Sequence, residues 1–181
     1  MTWLVRLARV GAAALMILFR GTGEAAAQRT LERSGFFIGL GLGYGSLDLT
    51  CDGCDFDRQS GLSGYLRLGG AVSDRVLLGV ESNGWYKSED GVGVTAGTLT
   101  GSVYVYPSSE ADLFVRGGVG IASLDSEDIN ADTGFGWSVG LGYDIPIGRK
   151  TALTPYANWF VGHFDGGGTN TLQVGLGVNW Y

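Results

Sequence analysis

The chain has 181 residues, with 12 basic, 18 acidic and 33 glycine residues. That length bounds it to one compact domain, and the acidic balance makes the chain a poor partner for nucleic acid, since no basic patch exists to neutralise phosphates. The glycines follow no strict three-residue period, which excludes a collagen helix, and they interrupt hydrophobic runs, where they penalise an α-helix.

The first segment is not part of the domain. Arg6 and Arg9 precede an apolar run from Val10 to Phe19, and Ala25 to Ala27 offers a small-residue cleavage site before Gln28. This is the layout of a secretory signal peptide, and the run is too short to cross a bilayer core of about 30 Å as a helix. Removal of residues 1–27 leaves 154 residues, with 9 basic and 17 acidic side chains and a net charge of −8. Residues 28–34 are then a short leader, residues 35–181 form the domain, and no further module is expected.

From residue 35 onward the dominant pattern is alternation with period two. Phe36, Ile38, Leu40, Leu42 and Tyr44 share one face, and Gly39, Gly41 and Gly43 share the other. The same pattern recurs from Phe135 to Ile145 and from Thr171 to Trp180. It predicts eight strands, at 35–47, 61–72, 76–87, 92–106, 113–124, 135–147, 152–164 and 170–181. Short connections (73–75, 107–112 and 148–150) alternate with longer, acid-bearing ones (48–60, 88–91, 125–134 and 165–169). Glycine on one face and large apolar side chains on the other suit a narrow, filled interior and a lipid-facing exterior. The expected fold is all-β, an eight-stranded antiparallel up-and-down transmembrane β-barrel with both termini and the short turns on the periplasmic side. Tyr44, Tyr86, Tyr143, Phe164 and Trp180 lie near strand ends, where interfacial aromatic girdles occur. A β-sandwich with the same aromatics in its core is the competing reading.

Cross-strand arithmetic predicts the interior. If Asp74 centres its turn, facing residues on the second and third strands have numbers summing to 148, so Leu68 faces Val80 and Arg67 faces Glu81. Opposed buried charges are expected to pair. Arg116 and Asp144 share the inward parity, giving an expected interior polar network of Arg67, Glu81, Arg116 and Asp144 with a structural role. Tyr65, Tyr104, Tyr106 and Tyr156 are expected to fill the remaining lumen.

With these features the chain resembles the small outer-membrane barrel families, OmpX/Ail-like and opacity-type porin-like. The segment from Leu153 to Ala157 is similar to their penultimate strands. The ending from Val174 to Tyr181 is similar to the C-terminal signal read by the barrel-assembly machinery. There Trp180 keeps the lipid-facing phase and Tyr181 falls one residue beyond it. The resemblance implies residence in the outer membrane, lipopolysaccharide and outer-membrane lipid as surroundings, and a role in adhesion, resistance to host defence or envelope integrity.

Motifs that could carry chemistry are few. Cys51 and Cys54 form a C-x-x-C without a βαβ context, so a disulfide within the first outer loop is expected rather than a redox site. Eleven of the 17 mature acids fall in the four predicted outer loops, where divalent cations could bridge them to lipopolysaccharide. Gly136 to Gly140 matches G-x-S-x-G around Ser138, followed by Asp144 and His163, but it lies within a strand and not at a strand–turn–helix elbow. His163, the only histidine, and Ser138 have opposite parity, which weakens a lipid A-modifying enzyme as the alternative. Gly91 to Ala96 loosely matches a dinucleotide fingerprint but opens a strand instead of a helix. The expected function is therefore a non-enzymatic, monomeric outer-membrane barrel without catalytic, cofactor or metal residues. It acts in envelope integrity or surface interaction, with a lipid A-modifying enzyme or a small passive pore as alternatives.

Overall fold

The computed structural model describes residues 31–51, 57–89, 92–126 and 129–181. The expected signal peptide, 1–27, lies outside them. The described residues form strands β1 (Phe36–Cys51), β2 (Gln59–Ser73), β3 (Val76–Glu89), β4 (Val92–Val105), β5 (Leu113–Ser126), β6 (Ile129–Tyr143), β7 (Ile145–Pro146), β8 (Thr151–Phe164) and β9 (Gly167–Trp180). Strands β1 to β6 pair antiparallel in chain order, β7 and β9 each pair with β8, β1 pairs with β9, and β6 pairs with β8. The sheet is thereby closed. β7 prolongs the line of β6 past Asp144, so the wall has eight staves and the expected barrel is observed.

Closure answers the solvent. Hydrocarbon offers no hydrogen-bond partner, so backbone groups must be satisfied within the protein. The outward face then carries apolar side chains from every stave: Leu40, Leu66, Val80, Leu99, Val119, Leu141, Trp159 and Leu176 are all more than 40 % exposed. An unbroken apolar belt of this kind far exceeds the patches tolerated on soluble monomers. That decides lipid over water, and barrel over sandwich.

The strands are longer than the sequence pattern predicts. β1 continues to Cys51 and β2 begins at Gln59, while β5 and β6 continue to Ser126 and from Ile129. Strands of 14 to 16 residues rise ~35–40 Å at a tilt near 40°, whereas the apolar band is ~25 Å tall. Their outer ends therefore stand clear of the hydrocarbon core. Alternation stops where the outward face meets water, but the backbone ladder does not. Asp48, Glu89, Asp125 and Asp132, expected in loops, consequently lie on strands. The β8–β9 hairpin turns through Asp165 and Gly166 alone, and Gly166 takes the left-handed conformation at φ 92°.

Inside, the large side chains stand opposite glycines. Tyr65 faces Gly41, Arg67 faces Gly39, Phe114 faces Gly142, Arg116 faces Gly140 and Tyr156 faces Gly175. A side-chain carbon at Gly41 or Gly177 would run into the Tyr65 ring, and one at Gly142 into Phe114. The narrow lumen is filled by alternating bulk across neighbouring staves.

This packing predicts a contrast between two glycines. Gly142→Leu should prevent recovery of the compact, heat-modifiable band on refolding into detergent, since overpacking costs roughly 1–3 kcal/mol or more. Gly101 faces outward and is exposed, so Gly101→Leu should fold like the native chain. Equal behaviour of the two would reverse the assignment of faces.

Candidate functional site

At mid-height the lumen is crossed by an ion pair. Arg116 on β5 and Glu81 on β3 meet at 2.7 Å, with both side chains fully buried. Both members of the pair are also bonded to their surroundings. Arg116 also donates to Ser138 at 2.9 Å, to Asn158 at 3.1 Å and to Asn83 at 3.3 Å. Glu81 accepts from Asn83 at 2.8 Å and from the Tyr104 hydroxyl at 2.7 Å. Asn83 Oδ1 accepts further bonds from Asn158 and Gln173. A buried pair is tolerable only when its remaining donors and acceptors are satisfied in this way.

Arg67 is placed differently from the sequence expectation. It stands directly opposite Glu81 in the β2–β3 register, yet Glu81 pairs with Arg116. The Arg67 guanidinium lies 4.7, 5.2 and 5.0 Å from the ring centres of Tyr65, Tyr104 and Phe114, and Nε donates to Asn179 at 3.1 Å. Among the described residues Nη2 has no acceptor. The side chain reaches over the aromatic faces, which attract a cation once water is excluded, while Glu81 is held across the lumen by three donors.

Asp144 organises a separate cluster near the end that carries the short turns. It interrupts the line between β6 and β7 and is fully buried. Its carboxylate accepts from Tyr181 at 2.6 Å, Thr154 at 2.6 Å, Tyr106 at 2.9 Å and Asn179 at 2.9 Å. Arg33 approaches it at 3.8 Å, bonds Asp112 at 3.1 Å and lies 4.0 Å over the Tyr106 ring. The expected single network is thus two clusters. Asn179 bridges them, contacting both Arg67 and Asp144.

The chain ends belong to this cluster. Residues 28–34 are read from sequence as a plain leader, but Leu31 and Arg33 are buried in the barrel mouth. Trp180 faces outward, 41 % exposed, while Tyr181 is turned inward onto Asp144. Burial pushes the Asp112 carboxyl above its ordinary range, against the pull of Arg33.

Apolar side chains pack in the lumen above and below the ion pair. Leu47, Trp85, Ala96 and Phe160 pack as one buried cluster toward the outer end, and the Trp85 indole donates to the Gly45 carbonyl. Phe37, Leu77, Tyr104, Tyr106, Phe114 and Tyr181 pack toward the inner end with Leu31 and Ala152. The catalytic triad does not assemble, because Ser138 is buried beside Arg116 while His163 is on the exterior. Cys54 and the Cys51 side chain, with the disulfide expected between them, lie outside the described residues.

Sequence reasoning missed Asn83, Asn158, Gln173 and Asn179. Their signal was available, since each is a polar residue at an inward position of an otherwise apolar or glycine-rich strand. Parity alone could not say which of them meet.

The family profile described as outer membrane protein beta-barrel domain matches residues 11–180. The fold is similar to the crystal structure of Ail, the attachment invasion locus protein of Yersinia pestis. The TM-score is 0.60 at 13 % identity, covering 81 % of this chain and 99 % of that one. Ail in complex with the heparin analogue sucrose octasulfate is similar at a TM-score of 0.56 and 13 % identity, with the same coverage. Neisserial surface protein A is similar at a TM-score of 0.59 and 12 % identity, covering 81 % of this chain and 97 % of that one. At such identities the likeness is one of fold. No curated protein matches the chain.

The interior geometry predicts an order of couplings. Glu81→Ala or Arg116→Ala should each cost about 3–5 kcal/mol by leaving a buried charge unpaired. In double-mutant cycles followed by urea unfolding, Arg116 with Glu81 should couple more strongly than Arg67 with Glu81. The reverse order would restore the directly opposed pair.

Proposed function

From the premise that the chain belongs to the outer-membrane β-barrel domain family, we propose that it is a non-enzymatic, non-conducting barrel that acts through its outer rim in envelope integrity and surface contact. The observation that carries this reading is the blocked lumen. Among the described residues, two apolar layers and a bonded ion pair fill it. Membership of the family implies the outer membrane as the location.

The rim supplies the surface chemistry. Among the described residues it carries Asp48, Asp57, Glu89, Asp125, Asp132 and Asp165 against Arg58 and Lys87. Arg58 binds Asp48 at 3.0 Å and Lys87 binds Glu89 at 2.5 Å, so the net excess is acidic. The second Ail structure holds a heparin analogue. A polyanion of that kind is disfavoured here by charge, and a cationic surface or a divalent-cation bridge to lipopolysaccharide is favoured. In this reading the barrel-assembly machinery recognises the end of β9 around Trp180 and Tyr181. The barrel then stands as a monomer among lipopolysaccharide and outer-membrane lipid. The opposed placement of Ser138 and His163 speaks against the lipid A-modifying alternative.

Two measurements test the reading together. The detergent-extracted outer-membrane fraction should contain a band whose mobility shifts on boiling, and the purified barrel in a planar bilayer should give no discrete conductance steps. Stable channel openings would replace this reading with the small pore. Absence from the membrane fraction would remove it altogether.

A further inference from the structure

The outer wall carries a polar notch that the blocked-lumen reading does not use. The β8–β9 hairpin ends in Gly166, Gly167 and Gly168, and the dent they leave opens a pocket of about 550 Å³ on the exterior of the barrel. In the strand register His163, Gly168 and Thr50 stand side by side on β8, β9 and β1. His163 and Thr50 thus flank a position with no side chain, ~10 Å apart across two interstrand spacings. Asn170, one outward step nearer the membrane on β9, forms the floor.

Immediately below lies an aromatic shelf. Trp159 and Trp137 pack edge to face with ring centres 5.0 Å apart, and Trp159 is 41 % exposed. The Trp159 indole donates to Asn170 Oδ1 at 2.6 Å. A tryptophan with its ring on the apolar wall and its N–H turned upward marks the membrane interface, so the notch sits at headgroup height. The bond also orients Asn170 and leaves its Nδ2 for another acceptor. No acid, lysine or arginine lines the notch, and Asp48, which stands opposite Asn170, is paired with Arg58. Polar donors and acceptors around a glycine gap, above an indole face, suit a sugar ring, which offers hydroxyls at its edge and C–H groups on its face. The volume lies within the range of small-ligand sites.

We propose that the notch formed by Thr50, His163, Gly168 and Asn170 binds a saccharide headgroup of the surrounding outer-leaflet glycolipid. The occupant follows from position, since a site on the exterior wall, continuous with the lipid-facing belt, meets membrane lipid before any soluble partner. The inference rests on the outer-membrane placement proposed above. It makes His163 a binding residue and assigns it no chemistry.

The test uses the full mature barrel refolded in detergent and titrated with purified lipopolysaccharide, with phosphatidylglycerol micelles and with delipidated core oligosaccharide. The His163→Ala/Asn170→Ala double variant replaces exposed groups, and its heat-modifiable band should persist. Its lipopolysaccharide affinity should fall about tenfold, the loss expected for two hydrogen-bonding partners. Ser123→Ala, an outward change on β5, should leave affinity unchanged. Unaltered lipopolysaccharide binding by the double variant overturns the proposal. Equal binding of phosphatidylglycerol overturns it in favour of generic lipid contact, and equal binding of the free oligosaccharide overturns the choice of a membrane-anchored source. Failure of the native chain to show a heat-modifiable band would instead remove the outer-membrane reading on which the proposal stands.

Discussion

Everything in this structure depends on closing a hydrogen-bonded sheet in a medium that cannot hydrogen-bond. Once β6 pairs with β8 and β1 with β9, no edge within the bilayer is left unpaired. Closure with only eight staves also sets the lumen width, and that width makes the remaining demands. Inward positions must be filled without collision, and any polar group among them must find its partner inside the wall. Glycine opposite a large residue satisfies the first demand. The Glu81–Arg116 pair meets the second with the amides around it.

The interior divides by height. Apolar layers lie toward both ends, and the polar groups are concentrated at mid-height and around Asp144. The Asp144 cluster does more than complete a charge balance. It draws together Arg33 from the leader, Tyr106 after β4, Thr154 from β8, and Asn179 and Tyr181 from the C-terminus. Segments far apart in sequence therefore meet on one carboxylate at the mouth that carries the short turns. The interior is filled by side chains bonded to one another, and the exposed polar groups lie on the exterior wall and the rim.

On the exterior, chemistry changes with height in the same ordered way. Apolar side chains give way to the Trp137–Trp159 shelf, and then to the polar notch at Thr50, His163 and Asn170, beside which the acidic rim begins at Asp48. The strands continue through all of these levels because backbone pairing is indifferent to what the outward side chains are. That is why the outer acids lie partly on strands, and why a rigid wall carries groups that a sequence reading assigns to loops.

Period-two alternation determined the barrel, its strand count and the two faces from sequence alone, because inward and outward surroundings act separately on every second residue. The turn at Asp74 also determined that Arg67 and Glu81 stand opposite each other, a local consequence of strand register. Which charges bond was decided only by tertiary structure. Glu81 reaches Arg116 across the lumen, and Arg67 settles on aromatic rings, because side chains of that length choose among partners from staves distant in sequence. The burial of Tyr181 and Arg33 was hidden for the same reason. Their partner, Asp144, is close to them only after the barrel has closed.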